Sequence, residues 1–197
     1  MQHRIQLIVG LGNPGDEYTS TRHNAGAWLV TKLAEQYHVV LQRENKFQAL
    51  LGTMNESDLE CKLLLPTTYM NLSGQAVVAC AHFYKIPTES ILIVHDELDF
   101  PPGTTRFKCG GGHGGHNGLR NIVERLGNGN FCRLRIGIGH PGDKQQVTNY
   151  VLAKPNRDDK AKMMTAIENA CNIVPELIKG NIDVAIRALH DSQEHVK

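Results

Sequence analysis

The chain has 197 residues, enough for one domain with a sizeable core, and its charges nearly cancel to a formal net charge of +1. That balance excludes a uniformly basic nucleic-acid binder, and no apolar run approaches the ~20 residues that cross a bilayer. Ile5–Val9 is too short for the apolar region of a secretion signal, so a soluble cytoplasmic protein is expected.

The five cysteines (Cys61, Cys80, Cys109, Cys132 and Cys171) are odd in number, scattered and without a CxxC pair. They fit buried or free thiols in a reducing compartment better than a disulfide framework. Charge is unevenly distributed. From Gly103 to His140 the basic residues are Arg106, Lys108, Arg120, Arg125, Arg133 and Arg135, against the single acid Glu124. A near-neutral protein with such a segment can still present a face to phosphate.

In chain order, Ile5–Val9, Phe47–Met54, Cys61–Leu65, Ile91–Val94 and Leu134–Ile138 are short, aliphatic and bounded by turn residues, which predicts strands. Between them, Ala25–Tyr37 carries Trp28, Leu29, Leu33 and Tyr37 at helical spacing. Leu72–Tyr84 does the same with Leu72, Ala76, Ala79, Cys80 and Phe83. Asn117 is a candidate cap for a helix with Leu119, Ile122, Val123 and Leu126 on its apolar side. The last third is helical, with an apolar stripe from Ala166 to Ile178 that Pro175 is expected to kink or split. A final helix over Ile182–Leu189 follows Asn181 as its cap. Alternating strands and helices without repeat or linker predict a single α/β domain over 1–197. Its central twisted sheet is mixed, mainly parallel and flanked by helices, and its C-terminus is helical.

Several segments carry chemistry. Gly10-Leu-Gly-Asn-Pro-Gly15 follows the first strand and matches the dinucleotide fingerprint GxGxxG. That fingerprint must open a helix onto a pyrophosphate, and here apolar helical periodicity begins only near Ala25. The glycines are instead read as a tight loop bringing backbone and Asn13 close to a ligand. Thr21-Arg-His-Asn-Ala-Gly26 sets His23 just before a helix, with Asn24 as a possible cap. Tyr69-Met-Asn-Leu-Ser-Gly74 also precedes a helix. Val94-His-Asp-Glu-Leu-Asp99 puts Asp96 at the carboxyl end of a strand, where α/β sheets collect ligands. In Cys109-Gly-Gly-Gly-His-Gly-Gly-His-Asn-Gly118, six of ten residues are glycine. So many glycines are entropically unfavourable unless the backbone must move or approach a bulky ligand closely. His113-x-x-His116 also raises a zinc reading, which a polyglycine frame supports poorly.

Taken together, GLGNPG, TRHNAG, TYMNLSG, HDELD, GGGHGGHNGL and RLRIGIGHP, in this order, resemble the bacterial peptidyl-tRNA hydrolases from Ile5 to about Val151. The resemblance implies a metal-independent, cofactor-free monomer that hydrolyses the ester between a peptide and the terminal ribose of tRNA, recycling tRNA for translation. It implies His23 as general base and Asp96 as the group holding it in its basic form. Asn13 would separate blocked from free aminoacyl-tRNA, and Tyr18, Tyr69, Asn71 and Asn117 would bind substrate. Met70 and His116 would line the crevice, while Lys108 and Arg135 would hold tRNA phosphate.

The chemistry agrees: imidazole, with a reference pKa of about 6.5, accepts a proton from water at neutral pH. Amide donors of Asn13, Asn71 or Asn117 suit the developing oxyanion. Two rivals stand beside this reading. A serine esterase would use Ser73 as nucleophile, against the lack of a GxSxG elbow. A non-catalytic RNA-binding module would use the basic segment and leave the His–Asp–Asn set without a role.

Overall fold

A computed structural model describes residues 4–194, so residues 1–3 and 195–197 of the expected 1–197 domain lie outside it. Among the described residues, seven strands form one sheet in the order β2-β3-β4-β1-β5-β7-β6. The strands are β1 (Leu7–Gly10), β2 (Gln42–Glu44), β3 (Ala49–Glu56), β4 (Leu59–Pro66), β5 (Ile91–Glu97), β6 (Thr105–Cys109) and β7 (Cys132–Gly137). The four central strands β4, β1, β5 and β7 run parallel; β3, β2 and β6 add antiparallel edges. The mixed sheet expected from the alternating pattern is thus present.

The central strands are buried on both faces, and their alternation assigns each side chain to one of two cores. Ile8, Leu92, Val94, Leu134 and Ile136 pack with helices α2 (Ala25–Gln36), α6 (Arg157–Lys179) and α7 (Ile182–Glu194). Leu7, Val9, Ile91 and Ile93 face α3 (Ser73–Tyr84) and α4 (Asn117–Leu126). Two short helices, α1 (Asp16–Thr19) and α5 (Val147–Val151), border the carboxyl ends of the strands. Among the described residues, no helix is long and apolar enough to cross a membrane.

Three expectations are corrected. Strands β2 and β6 escape a hydrophobic search because one is three polar residues and the other carries exposed or half-buried Arg106, Phe107 and Lys108. Strand β6 pairs with β7 in a register that opposes Cys109 to Cys132, and the two are joined by a disulfide. Only Cys61, Cys80 and Cys171 are free buried thiols, each pushed up to about 12 by burial. Of the two outcomes expected at Pro175, the split does not occur: helix α6 runs through Pro175 to Lys179, with Gly180 as its C-cap, held by the buried stripe from Met163 to Ile178. Asn181 stands at the start of α7 as expected: its carbonyl accepts from Ala185 N at 3.0 Å, and its side-chain amide donates to Glu176 at 2.7 Å.

What positions the site is the way α2 enters the sheet. Its second residue, Gly26, lies against the ends of β1 and β5. A Cβ at this position would overlap the Val94 carbonyl and come within 2.7 Å of Leu11 N. Gly10 is its counterpart, since a Cβ there would meet the Gly26 carbonyl at 2.6 Å. Backbone hydrogen bonds close the contact: Leu11 N donates to Val94 O and Ala27 N donates to Leu11 O, both at 3.0 Å. Only hydrogen fits between these backbones. Gly26→Ala is therefore expected to destabilise the fold by about 2–3 kcal/mol, measured as a lower urea midpoint at unchanged m-value.

Candidate active site

The segment between β1 and α2 is held from both sides. Arg22 anchors it to the turn after α5, donating to the carbonyls of Tyr150 (3.4 Å), Ala153 (3.3 Å) and Lys154 (3.0 Å). Its guanidinium also stacks 4.1 Å from the centroid of the Tyr150 ring. Asn24 does not cap α2. Its Oδ1 accepts from Asn13 N at 2.9 Å and its Nδ2 donates to Asn13 O at 3.0 Å, so it clamps the glycine loop. The Asn13 side chain is oriented in turn, because its Oδ1 accepts from Met70 N at 2.8 Å. That bond turns the amide Nδ2 of Asn13 away from Met70 and leaves it as the end with N–H groups to offer.

Between these anchors His23, 8% exposed, projects onto Asp96 at the end of β5. His23 Nδ1 lies 2.9 Å from Asp96 Oδ1, and His116 Nε2 lies 3.0 Å from the same oxygen. A carboxylate accepts only, so His23 carries its proton on Nδ1 and keeps the Nε2 lone pair. Burial disfavours a charge on Asp96, but the two imidazoles outweigh it and hold the carboxyl well below the usual carboxylate range. Burial likewise pulls His23 down, and the charge and hydrogen bond of Asp96 more than offset this. The imidazole consequently titrates above its ordinary 6.5.

The neighbouring His95 behaves differently. Burial, aided by His116, pushes it down to about 3, so it is neutral; its Nδ1–H donates to the Asp96 carbonyl at 2.7 Å. Among the described residues, its buried Nε2 has no hydrogen-bond partner.

A cavity of about 820 Å³ opens over this pair. Eight of the residues singled out in the sequence line it: Asn13, His23, Tyr69, Met70, Asn71, Asp96, His116 and Asn117. Tyr18 stands behind the wall, edge-on to Tyr69 with ring centroids 6.3 Å apart. Lys108 and Arg135 lie apart from the pair. They line an adjoining cavity of about 80 Å³ with His113 and Arg133. Arg135 is shared there, since its Nε donates to Glu97 at 2.9 Å and its guanidinium stacks on Phe100. Arg133 is not available to a ligand in the same way: it donates to the carbonyls of Gly111 and Gly112 and so ties down the glycine-rich loop. Gly110, Gly111, Gly114 and Gly115 in that loop all adopt positive φ, which explains the choice of glycine.

The residues missed in the sequence are those that act through hydrogen-bond direction: Arg22 and Asn24 as clamps, His95 under Asp96, and Arg133 under the loop. Two stood inside the TRHNAG segment, where their types gave the only signal. The cap of α4 is also corrected. His116, not Asn117, stands at that position, its Nδ1 accepting from Gly118 N and Leu119 N.

The same bonds bear on the rival readings. His23, Asp96 and His116 are close enough to suggest a metal centre. However, both imidazole nitrogens that face Asp96 carry protons, so neither offers a lone pair to an ion there. His113 turns its Nδ1 to Gly115 N at 3.1 Å. Ser73 is fully buried and donates to the Met70 carbonyl at 2.8 Å, a poor nucleophile.

An imidazole whose Nδ1–H is held by an aspartate, lining a cavity at the carboxyl ends of an α/β sheet, is an arrangement compatible with hydrolytic chemistry. Residues 7–197 match the family model described as peptidyl-tRNA hydrolase. The peptidyl-tRNA hydrolase of Coxiella burnetii (strain RSA 493 / Nine Mile phase I) is 54% identical over 190 residues, covering 96% of this chain and 100% of that protein. That of Pseudomonas syringae pv. syringae (strain B728a) is 53% identical, covering 96% and 98%. The crystal structure of peptidyl-tRNA hydrolase from Acinetobacter baumannii at 1.00 Å resolution superposes with a TM-score of 0.92 at 50% identity, covering 96% and 97%. The chain belongs to the peptidyl-tRNA hydrolase family.

The Asp96 pairing has a consequence for stability. An unfolded aspartate titrates near 3.8, above the folded value, so the pairing stabilises the fold above that pH and is lost as pH falls. Asp96→Asn is expected to remove this dependence, flattening the decline in urea midpoint between about pH 5 and 3 relative to the parent.

Proposed function

We infer that the chain cleaves the ester of peptidyl-tRNA by His23-activated water, and the observation that carries this is the His23 Nδ1–Asp96 hydrogen bond, which leaves Nε2 facing the cavity as a base. Hydrolysis of peptidyl-tRNA is the activity of the family to which the chain belongs. Water gives a proton to Nε2 as its oxygen attacks the ester carbonyl, and Asp96 stabilises the imidazolium that forms. The tetrahedral intermediate collapses with the proton passing to the ribose oxygen, so His23 returns to its starting state. We assign the developing oxyanion to the amide donors at the rim, Asn71 and Asn117.

Asn13 is assigned to selectivity, with one revision. With its Oδ1 bonded to Met70 N, the side chain offers N–H groups rather than a matched donor and acceptor pair. Such a group suits the amide carbonyl of a peptidyl chain and leaves the ammonium of a free aminoacyl-tRNA unmatched, a difference of about 1–3 kcal/mol. Lys108, with Arg135 beside it, is the proposed contact for tRNA phosphate. Tyr18 and Tyr69 supply an aromatic edge for the terminal nucleoside. A product of translation as substrate suits a monomer working in the cytoplasm, without metal or cofactor.

The test is hydrolysis of an N-acetyl-aminoacyl-tRNA with chelator present throughout. His23→Ala is expected to lose about 10²–10⁴-fold in kcat while tRNA binding persists, and the parent rate should fall on an acid limb above pH 6.5. Binding without any hydrolysis by the parent chain would support the RNA-binding reading instead. In the same assay, Asn13→Ala is expected to narrow the preference for N-acetylated over free aminoacyl-tRNA by about tenfold or more; an unchanged preference would remove Asn13 from selectivity.

A further inference from the structure

His116 has contacts that its place on the cavity wall does not use. It stands immediately before α4, and its Nδ1 accepts from Gly118 N at 3.1 Å and Leu119 N at 3.3 Å, two donors that the helix itself leaves without partners. A ring nitrogen facing two N–H groups holds its lone pair there, so the proton of His116 resides on Nε2. That N–H meets Asp96 Oδ1, the oxygen that also accepts from His23. The arrangement requires Gly118, since a Cβ there would lie 2.6 Å from Met70 Sδ and 3.1 Å from His116 Cε1.

We propose that His116 is a positioning residue for the hydrolytic reaction: the N-terminus of α4 fixes its tautomer, and the Nε2–H thus fixed anchors Asp96 and takes up part of the carboxylate charge that would otherwise act on His23 alone. The inference rests on His23 as the base. A carboxylate oxygen divided between two donors pulls less on each. Without the second donor, the buried charge of Asp96 binds the His23 imidazolium more tightly, and His23 becomes protonated at higher pH. Its working range as a base then shrinks on the acid side. The other titratable groups on the cavity wall remain in place when residue 116 is changed. They are Tyr69 before α3, His95, Glu97 and Asp99 on β5 and its exit, His113 in the loop, and His140 and Lys144 before α5.

Two substitutions separate the cap from the anchor. The amide oxygen of asparagine falls where Nδ1 stands, so it caps α4 without reaching Asp96. The amide nitrogen of glutamine falls where Nε2 stands, so it donates to Asp96 without capping. For His116→Asn, the expected result is a Tm lowered by the lost bond to buried Asp96, kcat about tenfold lower, and the acid limb of kcat about 0.5–1 pH unit higher. For His116→Gln, the acid limb returns to the parent position and kcat recovers to within about threefold, while Tm falls by about 2–4 °C for the lost cap. An unshifted limb in His116→Asn, the same shift in both variants, or a loss confined to KM would overturn the proposal. A parent enzyme with no acid limb at all would overturn the reading of His23, and this inference with it.

Discussion

The close approach of α2 to the ends of β1 and β5 is the constraint on which the rest of the molecule depends. Gly26 and Gly10 let two backbones touch where any side chain would hold them apart. His23 lies three residues before Gly26 and Asp96 two residues after Val94, so the backbone contact sets the spacing of the two functional side chains. Their 2.9 Å hydrogen bond is therefore a product of core packing rather than of a flexible loop. Proximity obtained this way is built into the fold before any ligand arrives.

The electrostatics build on that geometry. A buried carboxylate is unfavourable unless its lone pairs are met, and Asp96 is met by two imidazoles whose protons are fixed from behind. For His116 the fixing element is the start of α4. His23 is oriented through its chain neighbours, Arg22 reaching the turn after α5 and Asn24 reaching Asn13. His95 contributes from below by donating to the Asp96 backbone rather than to its side chain. Each histidine thus has a single tautomer, and only His23 turns a lone pair toward the large cavity while its other nitrogen holds Asp96.

Much of this was legible in the sequence because the elements that matter most are the most buried. Ile5–Val9 and Ile91–Val94 announce themselves as apolar runs, and the segments after them carry Asn13 and His23 on one side and Asp96 on the other to the same edge of the sheet. Most of the residues gathered around the large cavity are those that the family resemblance implied, while type and position alone pointed to Asn13, His23 and Asp96. What failed was less hydrophobic or more local. Strand β6 mixes charge with half-buried side chains, so periodicity misses it, and with it goes the facing of Cys109 and Cys132. Asn117 is the better cap by residue preference, yet His116 takes the position because its ring also reaches Asp96. The role of Asn24 depends on where its two amide ends point, which residue type alone does not encode.

The two walls of the site differ in how they are attached to the rest of the protein. The His23 wall shares its backbone hydrogen bonds with the buried ends of β1 and β5, whereas the wall from Gly110 to Gly115 is joined to the sheet mainly through Arg133 and the Gly110–Phe131 bond. The first is continuous with the buried core, the kind of segment that resists local opening; the second, tethered at its start by the Cys109–Cys132 disulfide, has few bonds to the sheet, the kind of segment that opens locally. Local opening of the glycine-rich wall would thus leave the His23–Asp96 pair assembled, so breathing of the cavity and loss of this pair are separate events in this fold.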